Sequence, residues 1–341
     1  MKILTILGTR PNFVKASPLS EALKKNRISE IIVNTGQHYD FNMSDIFFKE
    51  LNIPKSKYDL DVGSDSHAKQ TGAILSKLEK ILIKENPDAL LVYGDTNTTL
   101  GGALAAVKLY IPILHIEAGL RSFNRKMPEE INRVITDHIS EILFCPSSVS
   151  KENLKQEGIE KNVFVVGDVM YDIFKKWKAK FDSENKFGNY ALLTMHRAEN
   201  TVPEILCKRF AQLSKIDLQI IYPIHPRTKK IISQNEITLP KNIQTIEPLG
   251  WLELMRLGHN SKFIITDSGG LQKEALWLEK HCLTIRDQTE WIETVQQNVN
   301  RLVKLDENIS IPDLTKGDFR NPYGEGNASQ KIAKILKLQF E

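Results

Sequence analysis

Short apolar runs alternating with amphipathic stretches leave few folds open to this chain. Ile3–Leu7, Ile31–Thr35, Ala89–Tyr93, Ile111–Ile116 and Ile142–Cys145 are rich in branched or aliphatic side chains and are expected as strands. Phe13–Leu23, Ser44–Leu51, His67–Lys84, Thr98–Lys108 and Glu129–Ser140 read as helices. In His67–Lys84, Ile74, Leu75, Leu78, Ile81 and Leu82 share one face. Strand–helix alternation of this kind predicts a parallel, doubly wound sheet. Val163–Val166 closes the first series at Gly167-Asp168. After the polar stretch Phe181–Gly188 a second series begins, with strands at Tyr190–Thr194, Leu218–Tyr222, Ile243–Ile246, Phe263–Thr266 and Cys282–Ile285. Its helices are expected at Glu204–Ser214, Trp251–Gly258 and Gly270–Leu278. At 341 residues the chain exceeds what one core usually serves. The expectation is an α/β protein of two Rossmann-like doubly wound domains facing a central cleft. The first covers 1–168 and the second 169–328, with a last helix at about 329–341 packed back on the first.

Charge and composition exclude several classes. A net charge of +4, with Lys and Arg scattered among acids, gives no basic face for nucleic acid. No apolar run approaches the roughly 18 residues of a membrane span. Gly8-Thr9-Arg10 breaks the N-terminal apolar run too early for a signal peptide. Cys145, Cys207 and Cys282 are odd in number, far apart and in apolar contexts, which predicts buried free thiols in a reducing compartment. A cytoplasmic protein without nucleic-acid or membrane partners is expected.

The residues that carry chemistry collect where strands end, which is where open α/β sheets bind ligands. The densest stretch is Pro112–Arg133. Its apolar run is followed at once by Glu117, then by an Arg-rich loop. Pro128 opens a helix with Glu129 and Glu130 in its first turn and Arg133 one turn on. Proline suits the first helical position, and acids there face the positive end of the helix dipole. Asp95 follows Tyr93-Gly94. His196, Arg197 and Glu199 follow Ala191–Thr194, and His225 and Arg227 follow Leu218–Tyr222. One such residue is more often structural than catalytic, but four clusters directly after strands argue for a site.

Thr266-Asp267-Ser268-Gly269-Gly270 ends a strand and opens a helix. Such a turn lets backbone approach a phosphate, and the helix N-terminus favours an anion. Glu274, one turn in, is placed to accept ribose hydroxyls. At the first β–α turn Arg10 offers a cation able to pair a diphosphate. Neither turn is a Walker loop or a GxGxxG fingerprint, which disfavours a nucleoside triphosphate or a dinucleotide cofactor. There is no helical His pair at zinc spacing and no G-x-S-x-G elbow, so neither a metal nor a serine nucleophile is expected. Acids, His, Lys15 and Arg around an anionic ligand suit proton transfer.

GTRPNFVK, TGQHYD, YGDTNT, HIEAGLRSF, MPEEINR, TMHRAEN, HPRT and TDSGGLQKEA, in this order and spacing, resemble the non-hydrolysing UDP-N-acetylglucosamine 2-epimerases over practically the whole chain. The resemblance implies the glycosyltransferase-B type of fold, a homodimer and a UDP-sugar substrate. The implied reaction converts UDP-N-acetylglucosamine to UDP-N-acetylmannosamine for surface polysaccharides. UDP is eliminated to give 2-acetamidoglucal and then adds back. By motif, Asp95, Glu117 and Glu129 are the implied acids, with His196 and Arg133 beside them. Arg10, His225, Ser268, Gly269, Gly270 and Glu274 fall on the UDP-binding positions. Gln37, His38 and Gln70 resemble the segments that bind a second, activating UDP-sugar in some members.

One segment departs from the commonest pattern. Gln288-Thr289-Glu290-Trp291-Ile292-Glu293-Thr294, together with Val166-Gly167-Asp168-Val169-Met170, resembles the branch acting on UDP-2,3-diacetamido-2,3-dideoxyglucuronate. That branch inverts the same carbon of a different sugar. A glycosyltransferase on the same fold and a non-catalytic UDP-sugar binder are the other readings. Three carboxylates near an anionic diphosphate speak against the binder.

Overall fold

The structure, a computed structural model, describes residues 1–36, 55–182 and 184–340. It divides into two units, Met1–Lys175 with Pro322–Glu341, and Lys176–Asn321. The first begins with β1 (Lys2–Leu7), α1 (Arg10–Lys25), β2 (Ser29–Asn34) and β3 (Tyr58–Asp59). Next come α2 (His67–Glu85), β4 (Ala89–Tyr93), α3 (Asn97–Lys108) and β5 (Ile113–Ile116). Then follow α4 (Pro128–Ile139), β6 (Ile142–Cys145), α5 (Ser148–Gln156), β7 (Val163–Val165) and α6 (Val169–Trp177). The strands form one parallel sheet in the order β3-β2-β1-β4-β5-β6-β7. Leu4, Ile6, Val33, Leu90 and Val92 from its strands pack on Ile74, Leu78 and Leu82 of α2 in one buried cluster.

The second unit repeats the design. It runs β8 (Tyr190–Thr194), α7 (Pro203–Leu213), β9 (Gln219–Pro223), α8 (Pro226–Gln234), β10 (Ile243–Ile246) and α9 (Trp251–Asn260). The rest is β11 (Ile264–Thr266), α10 (Gly269–Trp277), β12 (Cys282–Thr284), α11 (Ile292–Gln296) and β13 (Asn300–Leu302). These strands are also parallel, in the order β10-β9-β8-β11-β12-β13. Both orders contain the 3-2-1-4-5-6 arrangement of a Rossmann fold. The chain ends in α12 (Ala328–Phe340), which packs on α1 of the first unit.

The units divide within α6, not at the 168/169 boundary expected from sequence. The residues after 168 are tied to the returning segment. Asp168 N–H donates to the Tyr323 carbonyl at 2.9 Å. Gly167 and Gly324 touch there with φ of 98° and 85°, and a Cβ on Gly324 would lie 2.9 Å from the Gly167 Cα, so glycine is needed. The Asp172 carboxylate accepts the N–H groups of Ala328 and Ser329 at 3.0 and 2.7 Å, capping α12 from the far side of the sequence. Asp172→Ala is expected to cost about 1 kcal/mol, as loss of a helix cap does. Thermal unfolding should show the midpoint lowered by about 2–4 °C.

Helices α5, α6, α8 and α11 and strands β3 and β13 were not expected from sequence. All are short, nine residues or fewer: α8, for example, reads PRTKKIISQ and sets only Ile231 and Ile232 against the core. The expected helix Ser44–Leu51 lies outside the described residues. Cys145 and Cys282 are buried, which pushes both thiols up to about 12. Cys207 is exposed, contrary to expectation, because it lies on the outward face of α7.

Candidate active site

Each sheet reverses its strand order at one point, β1/β4 in the first unit and β8/β11 in the second. The carboxyl ends of such strands are where open α/β sheets hold ligands.

In the first unit, β4 and β5 run in register to Tyr93 opposite Ile116. The next residues, Gly94-Asp95 and Glu117, therefore emerge side by side. Glu117 is buried and adopts a left-handed φ of 69°, an uncommon conformation for a residue with a Cβ. Its carboxylate pairs with the Lys15 ammonium from α1. Gly94 makes that pair possible, since a Cβ there would lie 3.1 Å from Glu117 Oε2 and 3.4 Å from Lys15 Nζ. Asp95 is held by α4. Arg133 donates to its carboxylate at 2.5 Å, and Asn132 donates to its carbonyl at 2.8 Å.

Arg133 is 2% exposed and also donates to Glu130 at 2.8 Å. Glu130 in turn accepts the N–H groups of Ser122 and Phe123, both at 2.9 Å, and so fixes the loop after Glu117. Burial alone would push the Glu130 carboxyl up. The Ser122 N–H and the Arg133 guanidinium outweigh it and hold the group below the ordinary carboxylate value. Glu129, in the first turn of α4, is partly exposed.

A buried layer beneath these groups was not anticipated. His115, two residues before Glu117, lies 2.7 Å from Asp137 through Nδ1 and 2.8 Å from the Gly94 carbonyl through Nε2. Asp137 also accepts from Gly119 N–H at 3.1 Å and from Arg121 at 2.7 Å. Burial would push its carboxyl up, but His115 and Arg121 bring it below the usual value. The turns on both sides of Glu117 are thus anchored to α4. Arg10 opens α1, and its side chain lies outside the described part, as do Gln37 and His38 entirely. Gln70 is buried on α2, donating to the Gly63 carbonyl and accepting from Asn97, both at 2.7 Å.

In the second unit, Thr194 of β8 lies opposite Thr266 of β11, so the His196 loop and the Ser268 turn adjoin. Ser268 is the N-cap residue of α10, with Gly269 and Gly270 in its first turn. A Cβ on Gly270 would meet only Ser268 Oγ at 4.0 Å, whereas one on Gly269 would lie 2.4 Å from Glu290 Oε1. Glycine is therefore required at 269, where a Cβ would meet the Glu290 carboxylate, while at 270 a Cβ would find open space. Glu290 is buried beside Arg286 at 3.1 Å. The neighbouring Trp291 ring covers the buried Lys273 ammonium at 3.8 Å, a cation–π contact. The divergent segment 288–294 therefore packs directly against the start of α10.

Glu274 is buried and accepts from the Trp251 indole at 2.6 Å, a partner with no local sequence signal. His225 caps α8, its Nδ1 accepting from Arg227 N–H at 3.2 Å. His196 is about half exposed, and its backbone N–H donates to the fully buried Asp267 at 2.9 Å. Asp267 lies inside the TDSGG motif, yet sequence reasoning passed over it.

A family model described as UDP-N-acetylglucosamine 2-epimerase matches residues 21–337. A Methanococcus maripaludis protein named UDP-N-acetylglucosamine 2-epimerase homolog is 49% identical, covering 99% of this chain and 99% of its own length. A Pseudomonas aeruginosa UDP-2,3-diacetamido-2,3-dideoxy-D-glucuronate 2-epimerase is 46% identical over 98% of this chain and 99% of its own. The crystal structure of Methanocaldococcus jannaschii UDP-GlcNAc 2-epimerase in complex with UDP-GlcNAc and UDP matches with a TM-score of 0.91 at 43% identity, covering 99% of this chain and 100% of that one.

Proposed function

Because the chain belongs to the UDP-N-acetylglucosamine 2-epimerase family, we infer that it inverts carbon 2 of UDP-N-acetylglucosamine to give UDP-N-acetylmannosamine, and the reverse. The observation that carries this reading is the pair of ion-paired carboxylates, Glu117 with Lys15 and Asp95 with Arg133, at the ends of adjacent strands. Inversion through a glycal needs acid/base groups on both faces of the sugar. One group removes the carbon-2 proton while the bond from carbon 1 to UDP breaks. A proton is then returned to the other face as UDP adds back. Asp95, Glu117, Glu129 and His196 are the groups assigned to these transfers, with Lys15 paired to Glu117 and Arg133 to Asp95. Ser268, Gly269, Gly270, Glu274, His225 and Arg10 are assigned to UDP. The open helix start at Gly270 and the α10 dipole suit the charge that grows on the departing diphosphate. We assign the enzyme to the cytoplasm as a homodimer that supplies surface polysaccharide synthesis and uses no nucleic acid. Among the described residues no helix is long and apolar enough to cross a membrane.

The packing of segment 288–294 on α10 favours one second reading, the same inversion on UDP-2,3-diacetamido-2,3-dideoxyglucuronate, the sugar in the name of the Pseudomonas relative. Incubation with each nucleotide sugar in deuterium oxide, without acceptor or nicotinamide, separates the readings by NMR. The expected product carries deuterium at carbon 2, because the original hydrogen is lost to a protein base. Product without deuterium overturns the glycal route. Turnover of the glucuronate alone selects the second sugar, and transfer only on adding an acceptor indicates a glycosyltransferase.

A further inference from the structure

Asp267 is a fully buried carboxylate directly before Ser268, and its contacts lie outside the turn it belongs to. Its Oδ2 accepts the N–H groups of His196 and Arg197, each at 2.9 Å, and the Asn200 side-chain amide at 3.2 Å. Its Oδ1 lies 3.4 Å from His196 Nδ1 and 3.2 Å from His196 N. Holding the loop backbone needs only an acceptor oxygen, which an asparagine would supply without burying a charge. Burying a carboxylate is costly unless each oxygen is used. What a carboxylate adds over an amide at this position is a second acceptor, and that oxygen is the one nearest the imidazole.

The charge is balanced from behind. Arg209 is 3% exposed and donates to Asn200 Oδ1 at 3.2 Å. Its other bonds go to neutral acceptors, Gln212 Oε1 at 3.0 Å and the Val303 and Ile285 carbonyls. Asn200 thus stands between a buried guanidinium and a buried carboxylate, and the line runs Arg209, Asn200, Asp267, His196. Burial lowers the Arg209 guanidinium, and the charges of Asp287 and then Asp267 oppose it.

We propose that Asp267 is a positioning residue for His196, orienting the ring so that Nδ1 presents its proton to the carboxylate and Nε2 is the nitrogen left for substrate. This rests on the epimerase reading for its consequence in turnover, but not for the tautomer itself. The protonated ring nitrogen follows from what each nitrogen faces, and a carboxylate oxygen 3.4 Å from Nδ1 favours the proton there. An amide at 267 can present its NH2 group to the same nitrogen and reverse the choice.

The test is long-range nitrogen–proton NMR of imidazole-labelled protein, with His196→Ala used to assign the signals. Wild type is expected to show the Nδ1–H tautomer, and Asp267→Asn to shift His196 toward Nε2–H. Turnover of Asp267→Asn should fall roughly 10²-fold, while UDP affinity stays within about threefold. Nε2–H in the wild type, or one tautomer in both proteins, overturns the proposal. So does unchanged turnover, or a loss of UDP affinity as large as the loss of turnover. If the variant does not fold, the wild-type tautomer alone decides. A wild type that turns over neither sugar removes the epimerase reading and leaves the tautomer result standing.

Discussion

Glu117→Gln should lower turnover by about 10²-fold or more, because it removes a carboxylate assigned to proton transfer and keeps its shape. The backbone at 117 is in a left-handed conformation, which glutamine tolerates as glutamate does, so the change alters the charge and not the fit. The Lys15 ammonium, only 14% exposed, loses its anionic partner and faces an amide. UDP affinity should survive, since the nucleotide is assigned to the turn at Ser268 and to Glu274. Turnover followed by NMR, with UDP affinity from calorimetry, separates the two effects. Full turnover in the variant removes Glu117 from the proton transfers. A loss confined to UDP affinity would make it a binding residue.

Arg133→Met should destabilise the protein by about 3 kcal/mol or more. It leaves Glu130 buried without its cation, and removing one member of a buried ion pair exposes the other to an uncompensated desolvation cost. Asp95 loses the same partner, so turnover should fall with stability. The effect has a pH signature. Glu130 has its carboxyl lowered from 4.5 in the folded protein, so the stability it contributes is fully present above about pH 4.5. That contribution is lost as pH falls through the lowered value. The gap between wild type and variant in urea unfolding should therefore be widest near neutrality and narrow below pH 4.5. A constant gap down to acid pH would mean that Arg133 acts through packing alone.

The sheets were readable because parallel strands buried on both faces appear as unbroken apolar runs. Ala89–Tyr93 has the bounds expected of it, while β5 begins at Ile113 rather than Ile111. Pro112 has no N–H to give the ladder, though its carbonyl still accepts from Leu90 N–H at 2.8 Å. Amphipathic α2 was visible over 19 residues, and α8 was not, because nine residues with Ile231 and Ile232 as their only core contacts are too short a run to read. The same division runs through the candidate site. That Asp95 and Glu117 stand at strand ends follows from local pattern. Their surroundings do not, since the contacts are distant in sequence: His115 to Asp137 spans 22 residues, Glu274 to Trp251 spans 23, and His196 to Asp267 spans 71. Segment 288–294 was legible as a departure from a pattern. That its Glu290 occupies the space beside Gly269 required the folded chain.

The return of Pro322–Glu341 to the first unit sets an order on how the protein can be made. The second unit is one continuous stretch, so its sheet can close as soon as its last residues leave the ribosome. The first unit holds residues 1–175 yet is completed only by 322–341. Until α12 arrives, the face of α1 that it covers and the carboxylate of Asp172 have nothing to bind. Loss of residues 322–341 will therefore damage the unit that residues 1–175 belong to and spare the one built from 176–321.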